Sequence, residues 1–189
     1  MASIAVVYFS GYGHTKKVAE AVAAGAAQVE GAKVDVVAVD AEGNVSDEQF
    51  ATLDAADAII FGAPTYMGGV PWQFKKFADA SSKRWYVRSW ADKIAGGFTN
   101  SASLNGDKAT TMNWLVTFAM QHGMVWVGAN ILPANSSKAQ RDDLNRMGSF
   151  TGLFTQADSD QPADVVPPKG DLATAEAYGK RVAGFAGKR

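Results

Sequence analysis

The sequence predicts a three-layer α/β domain built on a doubly wound parallel sheet. Three observations carry that expectation. Short apolar runs alternate with segments of helical period along most of the chain. The runs are continuous rather than alternating, as strands covered on both faces require. The links between them are rich in Gly, Ser, Pro and Asn, the residues of tight turns. With 189 residues, 47% of them hydrophobic, one domain over 1–189 can bury a substantial core.

The elements follow in order. Ile4–Phe9 reads as the first strand, and Val18, Val22, Ala26 and Val29 mark the buried stripe of the first helix. Val34–Val39 is the second strand. Ser46 is placed to cap a short helix carrying Phe50 and Leu53, with Glu48 near its positive end. Ala58–Phe61 is the third strand, and Pro71 opens a helix that buries Phe74, Phe77 and Ala78. Ile94–Phe98 is a weaker, glycine-bearing fourth strand. Met112, Leu115, Val116 and Ala119 follow helical spacing, Met124–Val127 is the fifth strand, and a closing helix buries Leu172, Ala175, Gly179, Val182, Ala183 and Ala186. Five strands alternating with helices through right-handed crossovers give the expected topology. Residues 130–170 break the pattern with a polar piece of helical character around 137–147; they are expected to elaborate the active-site rim or a subunit interface.

Composition narrows the function. With 18 basic and 19 acidic side chains, the surface lacks the positive excess that phosphate-backbone binding needs, which argues against nucleic acid. The absence of cysteine removes thiolate metal sites, cysteine-ligated clusters, disulfides and thiol nucleophiles. Two histidines offer little for a metal site. Any redox chemistry therefore falls to a bound organic cofactor. The chain start reads as a strand rather than a targeting signal, and no run approaches the ~18 apolar residues of a membrane span; a cytoplasmic protein without stable membrane insertion is expected.

Ligands of open α/β sheets bind beyond the carboxyl ends of the strands. The first such loop is Ser10-Gly11-Tyr12-Gly13-His14-Thr15, directly before a helix. Small residues let backbone N–H groups wrap an anion, the free helix N-terminus adds positive potential, and the Ser, Thr and His side chains add donors. An ordinary capped turn is the alternative. A dinucleotide fingerprint is the rival, with Gly11-x-Gly13 and Asp40, but Lys16 stands where the third glycine belongs and the Walker pattern is absent. The loop after strand three carries Pro64-Thr65-Tyr66-Met67 among glycines and prolines, suited to flank a planar ligand or simply to form a rigid turn. The loop after strand four, Asn100-Ser101-Ala102-Ser103-Leu104-Asn105, is dense in small residues able to border a flat polar edge. It lacks the Gly-x-Ser-x-Gly elbow of a hydrolase. With strand order 2-1-3-4-5 the three loops meet, and together they describe a site for flavin mononucleotide, FMN.

The chain resembles the WrbA-type NAD(P)H:quinone oxidoreductases, NADPH-dependent FMN reductase-like proteins of the flavodoxin-like superfamily. Tyr12-Gly13-His14, Phe61-Gly62-x-Pro64-Thr65 and His122-Gly123-Met124-Val125 carry the likeness, and it runs nearly the whole length. The resemblance implies FMN phosphate held by Ser10 to Thr15, with Pro64 to Met67 beside the ribityl chain and ring and Asn100 to Asn105 along the ring. It implies Tyr12 facing the nicotinamide nucleotide, Trp85 walling the quinone pocket, and a homodimer or homotetramer. The family's Thr-Arg-Phe is Thr65-Tyr66-Met67 here, and its glycine-rich Ser-Thr-Gly-Thr-Gly-Gly is Asn100 to Asn105. Its paired histidines become Gln121-His122, so the flavin-contacting position is Gln121, which hydrogen-bonds but does not titrate. His122 reads equally as a catalytic or a packed residue.

The leading expectation is two-electron transfer from NAD(P)H through FMN to quinones by a ping-pong sequence. The alternatives are a single-electron flavodoxin carrier, which the near-zero net charge supports little, and a flavin-free interaction or regulatory protein.

Overall fold

The computed structural model describes residues 2–188; Met1 and Arg189, the ends of the predicted domain, lie outside the described residues. Four strands form the sheet's main body, β1 (Ala2–Tyr8), β2 (Ala32–Ala38), β3 (Ala58–Pro64) and β4 (Ile94–Ser101). Helices α1 (His14–Ala27), α2 (Asp47–Ala55), α3 (Trp72–Ala80) and the short α4 (Ser82–Tyr86) connect them. Beyond β4 come α5 (Lys108–Gln121), β5 (Val125–Trp126), β6 (Leu153–Gln156) and α6 (Lys169–Ala186). All pairings are parallel and the order is β2-β1-β3-β4-β5, as expected, with β6 also on β4.

The period of two on β1 sorts the two cores. Ile4, Val6 and Tyr8 face α1 and α6, whereas Ala5, Val7 and Phe9 face Phe50, Leu53, Phe74, Phe77 and Leu115 on the other side. Helices α1 and α6 touch backbone to backbone: a Cβ on Gly25 or Gly179 would stand 1.9 Å from the Glu176 or Val22 carbonyl oxygen. The Ser46 cap forms with a partner: its hydroxyl accepts from Gln49 N–H while Gln49 Oε1 accepts from Ser46 N–H, a complete capping box. Pro71 caps α3 from just outside rather than entering it.

Two expectations are corrected. The fifth strand is not one run: β5 pairs only with Ile94 and Ala95, the chain leaves, and β6 returns to pair with Phe98 through Ser101. Where the ladder is broken, the buried Tyr178 hydroxyl accepts from Gly97 N–H and donates to Val127 C=O, standing between two groups a continuous parallel strand would join. The loss of direct pairing is thus repaired by a side chain of α6 that the helical stripe did not reveal. Residues 137–147 form turns rather than a helix, because side chains compete for the backbone. Asp143 Oδ2 accepts from Gln140 N–H, and Asn145, at φ 49°, holds Ile131 C=O and Ser149 N–H.

Candidate functional site

A cleft of about 620 Å³ opens at the carboxyl edge of the sheet. Residues after β1, β3 and β4 line it, as the topology requires, and so do Ala157, Ser159, Gln161 and Pro162 after β6. These last four belong to the 130–170 segment expected to elaborate the active-site rim or a subunit interface, and they stand at the rim of this cleft. Because β6 runs parallel to its neighbours, its exit loop must emerge at the same edge. Four residues without alternation gave no strand signal, so the strand that positions this wall was not legible.

The first loop leaves backbone N–H donors uncommitted. Gly13, at φ 89°, caps α1, and a Cβ there would be strained and would also press within 3.1 Å of the Ala163 Cβ. Ser10 Oγ accepts from Gly13 and Lys16 N–H, both 3.1 Å, which leaves its own proton to donate outward. The N–H groups of Tyr12, His14 and Thr15 make no hydrogen bond among the described residues. The His14 Nε2–H donates to Gln161 C=O at 3.0 Å, tying this loop to the wall after β6. A Cβ on Gly11 would reach the Tyr66 hydroxyl at 2.7 Å, so the two loops are in close approach.

The floor is a hydroxyl network. Thr65 Oγ1 lies 2.8 Å from Thr99 Oγ1 and donates to Thr111 Oγ1 at 2.8 Å, all three buried. Thr155 donates to Asn100 Oδ1 at 2.8 Å. That bond consumes the amide oxygen and leaves the Asn100 Nδ2 donors for the cleft. At the rim Tyr12 and Tyr66 meet edge to face at 6.1 Å, Tyr12 largely exposed. Burial pushes the Tyr66 hydroxyl pKa up, with Tyr12 adding to the rise, so it stays a neutral donor. Gln156 links two walls, donating to Ala102 C=O and to Asp158 Oδ1, both 2.7 Å. It is held in turn by Asp171, which a bidentate Arg141 pins at 2.7 and 2.9 Å.

Unpaired N–H groups and hydroxyl donors at one end, aromatic edges and an amide donor at the other, fit a phosphate monoester joined to a planar polar ring. FMN has that chemistry.

A sequence profile described as a flavodoxin domain matches residues 5–114. The chain belongs to the flavodoxin family. Flavodoxin FldP of Pseudomonas aeruginosa is 52% identical over 183 residues, covering 97% of this chain and 96% of that one. A protein named NAD(P)H dehydrogenase (quinone), from Geobacter sulfurreducens, is 36% identical, each chain covered to 98%. The crystal structure of a flavodoxin, WrbA-like protein from Agrobacterium tumefaciens superimposes with a TM-score of 0.79 at 48% identity, covering 100% of this chain and 99% of that one. The WrbA-type resemblance read from the sequence therefore stands.

The fold of this flavodoxin-family chain gathers most predicted residues but not all. Ser10, Tyr12, His14, Thr15, Pro64, Thr65, Tyr66, Asn100, Ser101 and Ala102 line the cleft, with Gly11 and Gly13 shaping its backbone. Met67 does not line it. Tyr66 and Gly69 pair across a two-residue turn, Met67 at φ 47° and Gly68 at φ 76°, and this hairpin puts Met67 fully into solvent. Ser103, Leu104 and Asn105 are exposed and lie outside the lining. Gln121, His122 and Trp85 come together, but around a separate shallow concavity with Phe118 and Ala78. The reason is topological: α5 starts at the carboxyl edge and runs back along the sheet, so its last residues sit at the amino edge. Within one chain they are not part of the cleft. His122 Nε2 lies 2.9 Å from Ser81 Oγ, whose proton is committed to Ala78 C=O, so the imidazole donates through Nε2, and its buried Nδ1 has no partner among the described residues. It packs on Trp90 at 4.4 Å, and burial first, then Arg88, pushes its pKa down to about 4.

Proposed function

We propose that this chain is an FMN-dependent oxidoreductase that accepts two electrons from NAD(P)H and passes them to quinone-type acceptors, donor and acceptor occupying the same face in turn. The single observation that carries the reading is the cleft itself, which joins uncommitted helix-terminal N–H groups to an aromatic and amide-bearing wall in one volume. Tyr12, His14 and Thr15 N–H with the Ser10 hydroxyl would hold the phosphate. Thr65, Tyr66 and the Asn100 amide would set the ring, and Tyr12 would face the incoming nucleotide. Bound FMN would supply the two-electron carrier that a chain without cysteine lacks.

Gln121, His122 and Trp85 would serve such a site only across a contact with a second copy, as the homodimer or homotetramer proposed with this reading would have to provide. The expected location is the cytoplasm; among the described residues no helix is long and apolar enough to cross a membrane. The test is the absorption spectrum of freshly purified protein, followed by anaerobic addition of NADH and NADPH in turn. Bleaching of a flavin band and its return with benzoquinone are expected. Turnover with no flavin bound would sink the reading.

A second reading is favoured by the relative named flavodoxin at 52% identity: a carrier handing electrons between partner proteins. It predicts a flavin band that light reduces but neither nucleotide bleaches. A flavin-free interaction protein would show no quenching when free FMN is titrated with the chain.

A further inference from the structure

Lys108 is the one lysine of the chain with no exposed surface among the described residues, and nothing in the proposed chemistry uses it. It is the first residue of α5, where the helix dipole disfavours a cation. Burial lowers its pKa to about 8, with Asp171 raising it and Arg141 lowering it as smaller influences. A methionine would fill the space without that desolvation cost, so neither helix nor core explains an ammonium here.

Its hydrogen bonds do. Lys108 Nζ donates to Ser101 Oγ at 2.8 Å, Ser103 C=O at 2.7 Å and Leu104 C=O at 2.9 Å. From the other side Gln156 Nε2 takes Ala102 C=O at 2.7 Å. Three successive carbonyls of one loop are therefore turned inward. In a trans peptide the N–H points opposite to the C=O, so the N–H groups of Ser103, Leu104 and Asn105 turn outward. None of the three makes a hydrogen bond among the described residues.

We propose that Lys108 is a positioning residue for the cofactor: it turns the loop after β4 so that three consecutive N–H groups face the flavin's polar edge, and it sets a positive charge behind them that favours the reduced, anionic flavin. This rests on the FMN reading above. The chain lacks the family's glycines in this loop; Lys108 holds Leu104 C=O and shares Ser103 C=O with Ser101 Oγ, which donates to it at 2.9 Å, while Gln156 holds Ala102 C=O. Successive outward N–H groups form an anion-binding concavity, and donors fixed before reduction need no reorganisation when negative charge develops.

Lys108→Met and Lys108→Gln separate the two roles, since Gln retains donors without charge. Dissociation constants for oxidised FMN, by fluorescence, and the midpoint potential of bound FMN are measured for each. In Lys108→Met both should change: oxidised FMN binds more weakly, and the preference for reduced over oxidised FMN falls on the order of tenfold. Lys108→Gln should recover part of the binding but not the potential. Unchanged affinity and potential in Lys108→Met, with wild type binding FMN normally, would overturn the proposal and leave the flavin reading standing. Absence of FMN binding by wild type would overturn both. Should neither variant fold, amide hydrogen exchange of the wild-type chain decides: the Ser103, Leu104 and Asn105 amides exchange fast without FMN and gain protection with it. Protection that FMN leaves unchanged overturns the proposal.

Discussion

The two ends of the same sheet have opposite chemistry. At the amino edge most polar groups are matched to one another, His122 Nδ1 being buried without a partner: Asp54 accepts from Trp90 Nε1 at 2.7 Å and Arg84 Nε at 3.2 Å, while the Lys93 ammonium donates to the Asp54 and Ala56 carbonyls. His122 is stacked between Trp90 and Phe118 there. At the carboxyl edge donors are held in place but left without protein acceptors, in the first loop, on Asn100 and along residues 103–105. Polar groups paired inside the chain stabilise the fold, whereas fixed, unpaired donors that still reach solvent are available to a ligand.

The strongest way to break that contrast is Thr15→Glu. A carboxylate about 4 Å from a phosphate costs several kcal/mol even at moderate screening, so FMN affinity should fall on the order of a thousandfold in a fluorescence titration. Unchanged affinity would mean that the phosphate lies elsewhere. At the amino edge the sensitivity is to acid instead. The folded His122 stays neutral to about pH 4, while the unfolded residue takes up a proton near its usual 6.5. The unfolded state then binds more protons across that window, so stability is full above pH 6.5 and about 3 kcal/mol is lost as pH falls to 4. Urea melts at pH 7 and pH 4 should show that slope, and His122→Phe should remove it.

Between the edges, Tyr178→Phe leaves Gly97 N–H and Val127 C=O unjoined and should cost about 1–3 kcal/mol in a denaturant melt, with FMN affinity unaltered. The smallest effect belongs to Gln121→Ala. This exposed residue should change neither stability, beyond about 0.5 kcal/mol, nor FMN affinity in dilute protein. A lowered affinity under those conditions would show that Gln121 reaches the cofactor within one chain, contrary to its place at the amino edge.

Legibility followed the kind of signal. Ile4–Phe9 and Ala58–Phe61 are continuous apolar runs, and they became β1 and β3 with small shifts at the ends. The first loop was legible as a candidate anion cradle because its glycines and hydroxyls sit together between a strand and a helix. Lys108 left a trace, a cation in the first turn of a helix, that gains meaning only once its acceptors across the loop are known. Gln156, Gln161 and Tyr178 left none, since each acts on groups distant in the chain.

The sequence by itself determined the class of fold, the core faces of its strands and helices, and three loops with the composition of a nucleotide cradle, because local period and turn chemistry are written in neighbouring residues. Only the tertiary structure decided that the fifth strand is split and which residues of the 130–170 elaboration, those after β6, complete the cleft. It also decided that Gln121, His122 and Trp85 stand at the opposite edge. Strand pairing and helix direction couple residues far apart in the chain, and no local pattern records which end of the sheet a side chain will reach.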